Sequence, residues 1–242
     1  MFFALVLSAA PSAQSQGAAN LSATQLAQRI EQHYQRVATL RAAFLERYSE
    51  GAHDARVESG TVYFRRPGQM RWEYESPEQK LFIADGKTVW FYVPADQSVT
   101  RQPMKESSDW RTPLALLTGR AKLSRLCDRI DIVDAKANAE GNLVLRCTPR
   151  GEQQPKHAQS NSSEEGSGEL PPAGDFTDVL LEVSPESGEL FDVRVRQPGG
   201  IEIEYRFGDW RENLPLQESL FHFQAPPGVA IVNGAAPGGS FL

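Results

Sequence analysis

The chain has 242 residues, of which 40% are hydrophobic and 23% charged, with a formal net charge of -6. That is enough apolar material for one sizeable core, so one main domain is expected. Its 25 Lys and Arg residues are scattered, which leaves no basic patch for phosphate backbones and excludes nucleic acid as a partner class.

Met1 to Ala10 reads MFFALVLSAA, an apolar run followed by small residues. It has the pattern of the middle and end of a secretory signal peptide, without the basic residues that usually open one. The run falls short of the roughly 20 apolar residues of a spanning helix. Residues 1–19 are therefore read as a signal-peptide-like segment, and export is expected.

Next comes a helix. Ser22 stands at an N-cap position with Gln25 three residues on, and Leu21 and Leu26 can form a hydrophobic staple. Leu26, Ile30, Tyr34, Val37 and Leu40 recur at helical spacing, so a helix is predicted over about 22–38.

The period then changes to two. Thr61, Tyr63 and Arg65 alternate with Val62, Phe64 and Arg66, and Arg71, Glu73 and Glu75 alternate with Met70, Trp72 and Tyr74. These are strands with one apolar face, joined by a Pro67-Gly68 turn. Asp85-Gly86 signals a hairpin, and further strands are predicted near 98–102, 127–134, 142–148, 176–184, 189–197 and 200–207. Short turns between regular strands predict a meandering antiparallel sheet, curled or barrel-like.

Two segments interrupt this rhythm. Thr112 to Gly119 has Thr at the N-cap, Pro at the first helical position and Gly after the apolar run, the pattern of a short inserted helix. Gly151 to Gly174 is rich in Gln, Ser, Glu, Gly and Pro, so 151–174 is read as a disordered loop insertion, and 231–242 as a flexible tail.

A search for chemistry returns little. The four histidines, His33, His53, His157 and His222, share no metal-ligand spacing, and there is no P-loop, nucleophile elbow or dinucleotide fingerprint. Neither catalysis nor a cofactor nor a metal is expected. Cys127 and Cys147 lie in two β-like runs joined by a turn at 140–142. In an oxidising compartment a structural disulfide is the expected state, with two buried thiols as the alternative.

The hairpin at Asp85-Gly86 is apolar on both faces. A two-residue turn there puts Ile83 opposite Thr88 and Leu81 opposite Trp90, so Leu81, Ile83, Trp90 and Tyr92 share one face and Phe82, Val89 and Phe91 the other. Such a hairpin must be covered on both sides. Leu81, Ile83, Trp90 and Tyr92 join Phe64, Met70 and Trp72 as candidate lining residues of an apolar pocket, with plain core packing as the alternative.

The run Arg66-Pro67-Gly68-Gln69-Met70-Arg71-Trp72, then Pro77, then Asp85-Gly86-Lys87-Thr88-Val89-Trp90-Phe91-Tyr92, and later Thr112-Pro113-Leu114, resembles the periplasmic lipoprotein carriers of the LolA family in order and spacing. The resemblance implies an α+β, mainly β, fold: an unclosed antiparallel half-barrel capped by helices over a hydrophobic cavity, here spanning about 20–230. It implies a monomeric shuttle that takes acylated lipoprotein cargo from an inner-membrane ABC-type releasing complex to an outer-membrane receptor, or to the outer membrane directly. The family's lid-latching arginine falls on Arg66 and its lid helix on Pro113 to Leu117, which adds Leu114 and Leu117 to the acyl cavity. Met70 departs from the family pattern, which has a large aromatic two residues before the tryptophan. A lipoprotein-sensing module on the same fold, a carrier of free lipid or glycolipid, and an esterase-like enzyme are the competing functions.

Overall fold

The computed structural model describes residues 21–51, 55–104, 113–119, 121–134, 138–150 and 176–234. The signal-like segment and the 151–174 insertion lie outside them. Helix α1 (Ala23–Arg36) opens with the expected capping box: the Ser22 hydroxyl accepts from the Gln25 amide at 3.2 Å and Gln25 Oε1 accepts from the Ser22 amide at 2.9 Å. It ends earlier than its apolar spacing predicts, because Leu40 already belongs to a strand.

Six strands follow as a meander: β1 (Thr39–Glu50), β2 (Arg56–Arg65), β3 (Gln69–Ser76), β4 (Lys80–Ala84), β5 (Thr88–Val93) and β6 (Ser98–Pro103). A 3₁₀ turn (Pro113–Leu116) and the one-turn helix α2 (Leu123–Leu126) cross over to a second meander. This consists of β7 (Cys127–Asp134), β8 (Leu143–Pro149), β9 (Asp178–Val183), β10 (Leu190–Gln197) and β11 (Ile201–Glu212). A last strand, β12 (Ala230–Asn233), runs parallel to β6, where the sequence reading has the start of a flexible tail.

All twelve strands form one sheet in the order β12-β6-β5-β4-β3-β2-β1-β11-β10-β9-β8-β7. The two meanders meet at β1 and β11, and the outermost strands β12 and β7 do not pair with each other, so the barrel is unclosed. This is the expected half-barrel. Bulges at Arg41/Ala43 of β1 against β11 and at Ser59/Gly60 of β2 against β3 bend the strands. At the second, a Cβ on Gly60 would lie 1.8 Å from the Glu73 carbonyl oxygen, so glycine alone permits the close approach.

Helix α1 packs into the core through Leu26, Ala27, Ile30 and Tyr34. The Tyr34 hydroxyl accepts from the Leu190 amide at 3.0 Å, which ties the helix to β10. Cys127 and Cys147 form a disulfide across β7 and β8, with Cα atoms 5.3 Å apart, so the thiol alternative is set aside.

The hairpin between β4 and β5 differs from its predicted register. Asp85 pairs with Thr88 and the two-residue turn is Gly86-Lys87, with Gly86 at φ 98. Asp85 Oδ1 accepts from the Lys87 and Thr88 amides at 2.8 and 2.7 Å, which fixes the turn one residue later than the Asp-Gly signal suggests. Ile83 therefore faces Trp90 and Leu81 faces Tyr92. A shift of two in pairing leaves side chains on their original faces, so the grouping within the hairpin survives.

Candidate functional site

The face of the sheet that turns inward follows from the pairing of β3. Trp72 lies beside Val62 of β2 and Phe82 of β4, and Met70 beside Phe64 and Ala84. All six are buried in the main core cluster. Phe64, Met70 and Trp72 thus share the concave interior. Around Trp72 stand Phe44, Phe64 and Tyr205, with ring centroids at 4.8, 5.9 and 5.5 Å in edge-on contact. Leu114 and Leu117, from the segment that crosses over the interior, are buried in the same cluster.

The other four candidates are corrected. Leu81, Ile83, Trp90 and Tyr92 alternate with Phe82, Ala84, Val89 and Phe91, and it is the second set that joins the inner cluster. The first set lies on the convex face, under the 3₁₀ turn Glu218–Phe221 and the residues after it. Phe223 stacks on Trp90 at 5.4 Å and meets Tyr92 at 5.6 Å, and Arg71 Nη1 donates to the Leu220 carbonyl at 3.1 Å. The hairpin is covered on both sides, but its outer cover comes from the C-terminal segment. Phe223→Ala should lower stability by about 2 kcal/mol through lost aromatic packing, read in urea unfolding. It should leave the interior unchanged.

Arg66 follows β2 at the rim. Its Nη2 donates to the Leu116 carbonyl at 3.3 Å, and the adjoining turn is held by the Gly68 amide donating to the Thr118 carbonyl at 3.0 Å. Gly119, at φ 74, leaves the room: a Cβ there would lie 2.9 Å from Arg66 Nη1. Burial lowers the guanidinium pKa from its ordinary value, and Nε is buried without a hydrogen-bond partner. A crevice of about 280 Å³ beside it is lined by Glu31, Gln35, Leu116 and Lys122 among others. At 3.3 Å the bond to Leu116 is a long one for a half-buried cation.

Sequence reasoning missed the polar end of the interior. Glu46 of β1 and Glu58 of β2 are cross-strand partners, 1% and 4% exposed. The Tyr74 hydroxyl donates to Glu46 Oε2 at 2.7 Å, and Lys80 Nζ contacts Glu58 Oε1. Burial pushes the Glu46 carboxyl up to about 7, and the neighbouring Glu58 charge adds to the rise. The available signal was the alternation Leu40, Ala42, Phe44, Glu46, Tyr48, with an acid at an inward position. Among the described residues no group of three or more His, Cys, Asp or Glu side chains could hold a metal.

A curled, unclosed sheet with an apolar concave face, crossed by the Pro113–Leu116 turn, defines a half-barrel. The chain belongs to the family described as outer membrane lipoprotein carrier protein LolA, whose model matches residues 35–160. An outer-membrane lipoprotein carrier protein of Azotobacter vinelandii is 26% identical over 233 residues, covering 96% of this chain and 98% of the relative. One from Haemophilus influenzae is 34% identical over 107 residues, 44% of this chain and 52% of its own. Among solved structures, an uncharacterized conserved protein from Thermus thermophilus superposes with a TM-score of 0.53 at 12% identity, over 88% of this chain and 99% of that one. That likeness bears on fold alone.

Proposed function

We propose that this protein is a periplasmic carrier that shelters the acyl chains of lipoproteins in its concave interior and conveys them from an inner-membrane ABC-type releasing complex to the outer membrane. Residues 1–19 direct export, residues 20–230 form the carrier, and the protein acts as a monomer. Family membership supports the cargo class. The observation that carries the reading is the clasped cover: Leu114 and Leu117 sit over the aromatic interior while Arg66 holds the adjacent Leu116 carbonyl.

The energetics suit such a role. Moving acyl chains out of water is worth about 0.8 kcal/mol per CH₂, so a dozen sheltered methylenes gain on the order of 10 kcal/mol. Membrane lipid offers a similar gain, so handover depends on a small difference between hosts, and the equilibrium between clasped and open states can set it. Cargo must displace the cover from the interior. The Arg66 bond stabilises the empty, closed form and so opposes loading and favours release.

The test is Arg66→Leu with a triacylated cysteinyl peptide as cargo and lipid vesicles as acceptor. Loss of a charge-assisted bond in the empty state should tighten cargo binding and slow transfer by about tenfold. Transfer at the wild-type rate would remove Arg66 from the mechanism, and failure to bind the peptide would remove the carrier reading.

A further inference from the structure

The concave interior is not uniformly apolar, and its polar groups are incompletely partnered. Glu46 Oε2 takes the Tyr74 hydroxyl, but Glu46 Oε1 is buried with no hydrogen-bond partner. Glu58 Oε1 is occupied by Lys80, whereas Glu58 Oε2 is likewise buried and unpartnered. The Trp72 indole N–H, in the same aromatic cluster through Phe44 and Tyr205, is a third buried group without a partner. Buried polar groups nearly always find partners, and leaving several open on one inner surface is costly for the empty protein.

We propose that the Glu46 end of the interior is a subsite for the amide head of an acylated ligand, with Glu46 and Glu58 accepting from its N–H groups and the Trp72 indole donating to a carbonyl. This rests on the carrier reading and deepens it. The two open acceptors lie on adjacent strands and face the same side, so they select hydrogen-bond donors. A cationic head is disfavoured, because Lys80 and Arg56 already flank Glu58. The N-acyl amide of an acylated cysteine and the peptide bond that follows it together carry two N–H donors and two carbonyls in neutral groups, which serves the two acceptors and one donor left open. Acyl chains attached to that amide would lie along Phe44, Phe64 and Trp72 toward the cover. An ester-headed lipid lacks N–H groups and leaves both carboxylates unsatisfied, so the subsite separates acylated peptides from ester lipids with the same tails.

The experiment compares a triacylated cysteinyl peptide with its analogue N-methylated at the first peptide bonds, each displacing a fluorescent fatty acid from the whole protein. The wild type should bind the unmethylated peptide about tenfold more tightly, and Glu46→Leu/Tyr74→Phe, which removes one of the two acceptors together with the hydroxyl that bonds it, should narrow that preference to about threefold. Should that variant misfold, Glu46→Gln keeps the shape and the bond from Tyr74 but puts an NH₂ donor in place of the open acceptor, and should likewise reduce the preference to about threefold. Equal binding of both peptides by the wild type, or an undiminished preference in a folded variant, overturns the subsite while leaving the carrier intact. If neither peptide displaces the probe, both readings fall.

Discussion

Trp72→Ala is expected to lower unfolding stability by about 4 kcal/mol, the range for emptying a fully buried aromatic site. Trp72 is 1% exposed and meets Phe44, Phe64, Tyr205 and Phe207 with centroids between 4.8 and 6.2 Å. These rings come from β1, β2 and β11, so they cannot all move into the vacancy without disturbing the junction of the two meanders. Urea titration should show a lower midpoint with an unchanged slope, because the same surface is exposed on unfolding. Trp72→Phe is the control. The indole N–H has no hydrogen-bond partner in the empty protein, so its removal forfeits no bond, and the cost should stay below about 1.5 kcal/mol. If the Phe variant proves as unstable as the Ala variant, volume is not what Trp72 supplies.

How far the sequence reveals this structure depends on which contacts are local. The capping box at Ser22 and Gln25 involves neighbours in the chain and is legible directly. So is the alternation through Val62, Phe64, Met70 and Trp72, because period two survives wherever polar residues fill the outer positions. Strand β1 was hidden for two reasons. Val37 and Leu40 prolong the helical spacing past the true helix end, and Glu46 places an acid where the pattern calls for an apolar residue. Its pairing with β11 joins residues about 150 apart or more, which no local pattern records.

The concave face shows the same limit. The β4–β5 hairpin is apolar on both sides, and parity correctly groups Leu81 with Ile83, Trp90 and Tyr92. Which group turns inward depends on Phe82 lying beside Trp72, and on Phe221 and Phe223 returning from the far end of the chain to cover the other side. The Arg66 contact with Leu116 spans fifty positions and was reached only through resemblance. The residues that periodicity groups together therefore turn inward where their other face is polar, as Phe64, Met70 and Trp72 do, and have no direction set by the pattern where both faces are apolar.

Glu46→Gln should stabilise the protein by about 3 kcal/mol at pH 8 and leave it unchanged at pH 4. Burial raises the Glu46 carboxyl from 4.5 to about 7, with Glu58 adding to the rise and the Tyr74 hydrogen bond, Arg56 and Lys80 opposing it. A raised acid binds more protons folded than unfolded between those two values, so stability falls as pH climbs through that window. Below about 4.5 both states are protonated and no penalty remains; above about 7 the folded state bears an ionised, buried carboxylate and the penalty is complete. Glutamine is neutral throughout, keeps the length of the side chain, and can still accept from the Tyr74 hydroxyl, so the difference between the two proteins isolates the charge. Unfolding free energies at intervals from pH 4 to pH 8 should give a rising gap that levels off near neutrality. A gap independent of pH would mean that the carboxyl titrates normally and is reached by solvent.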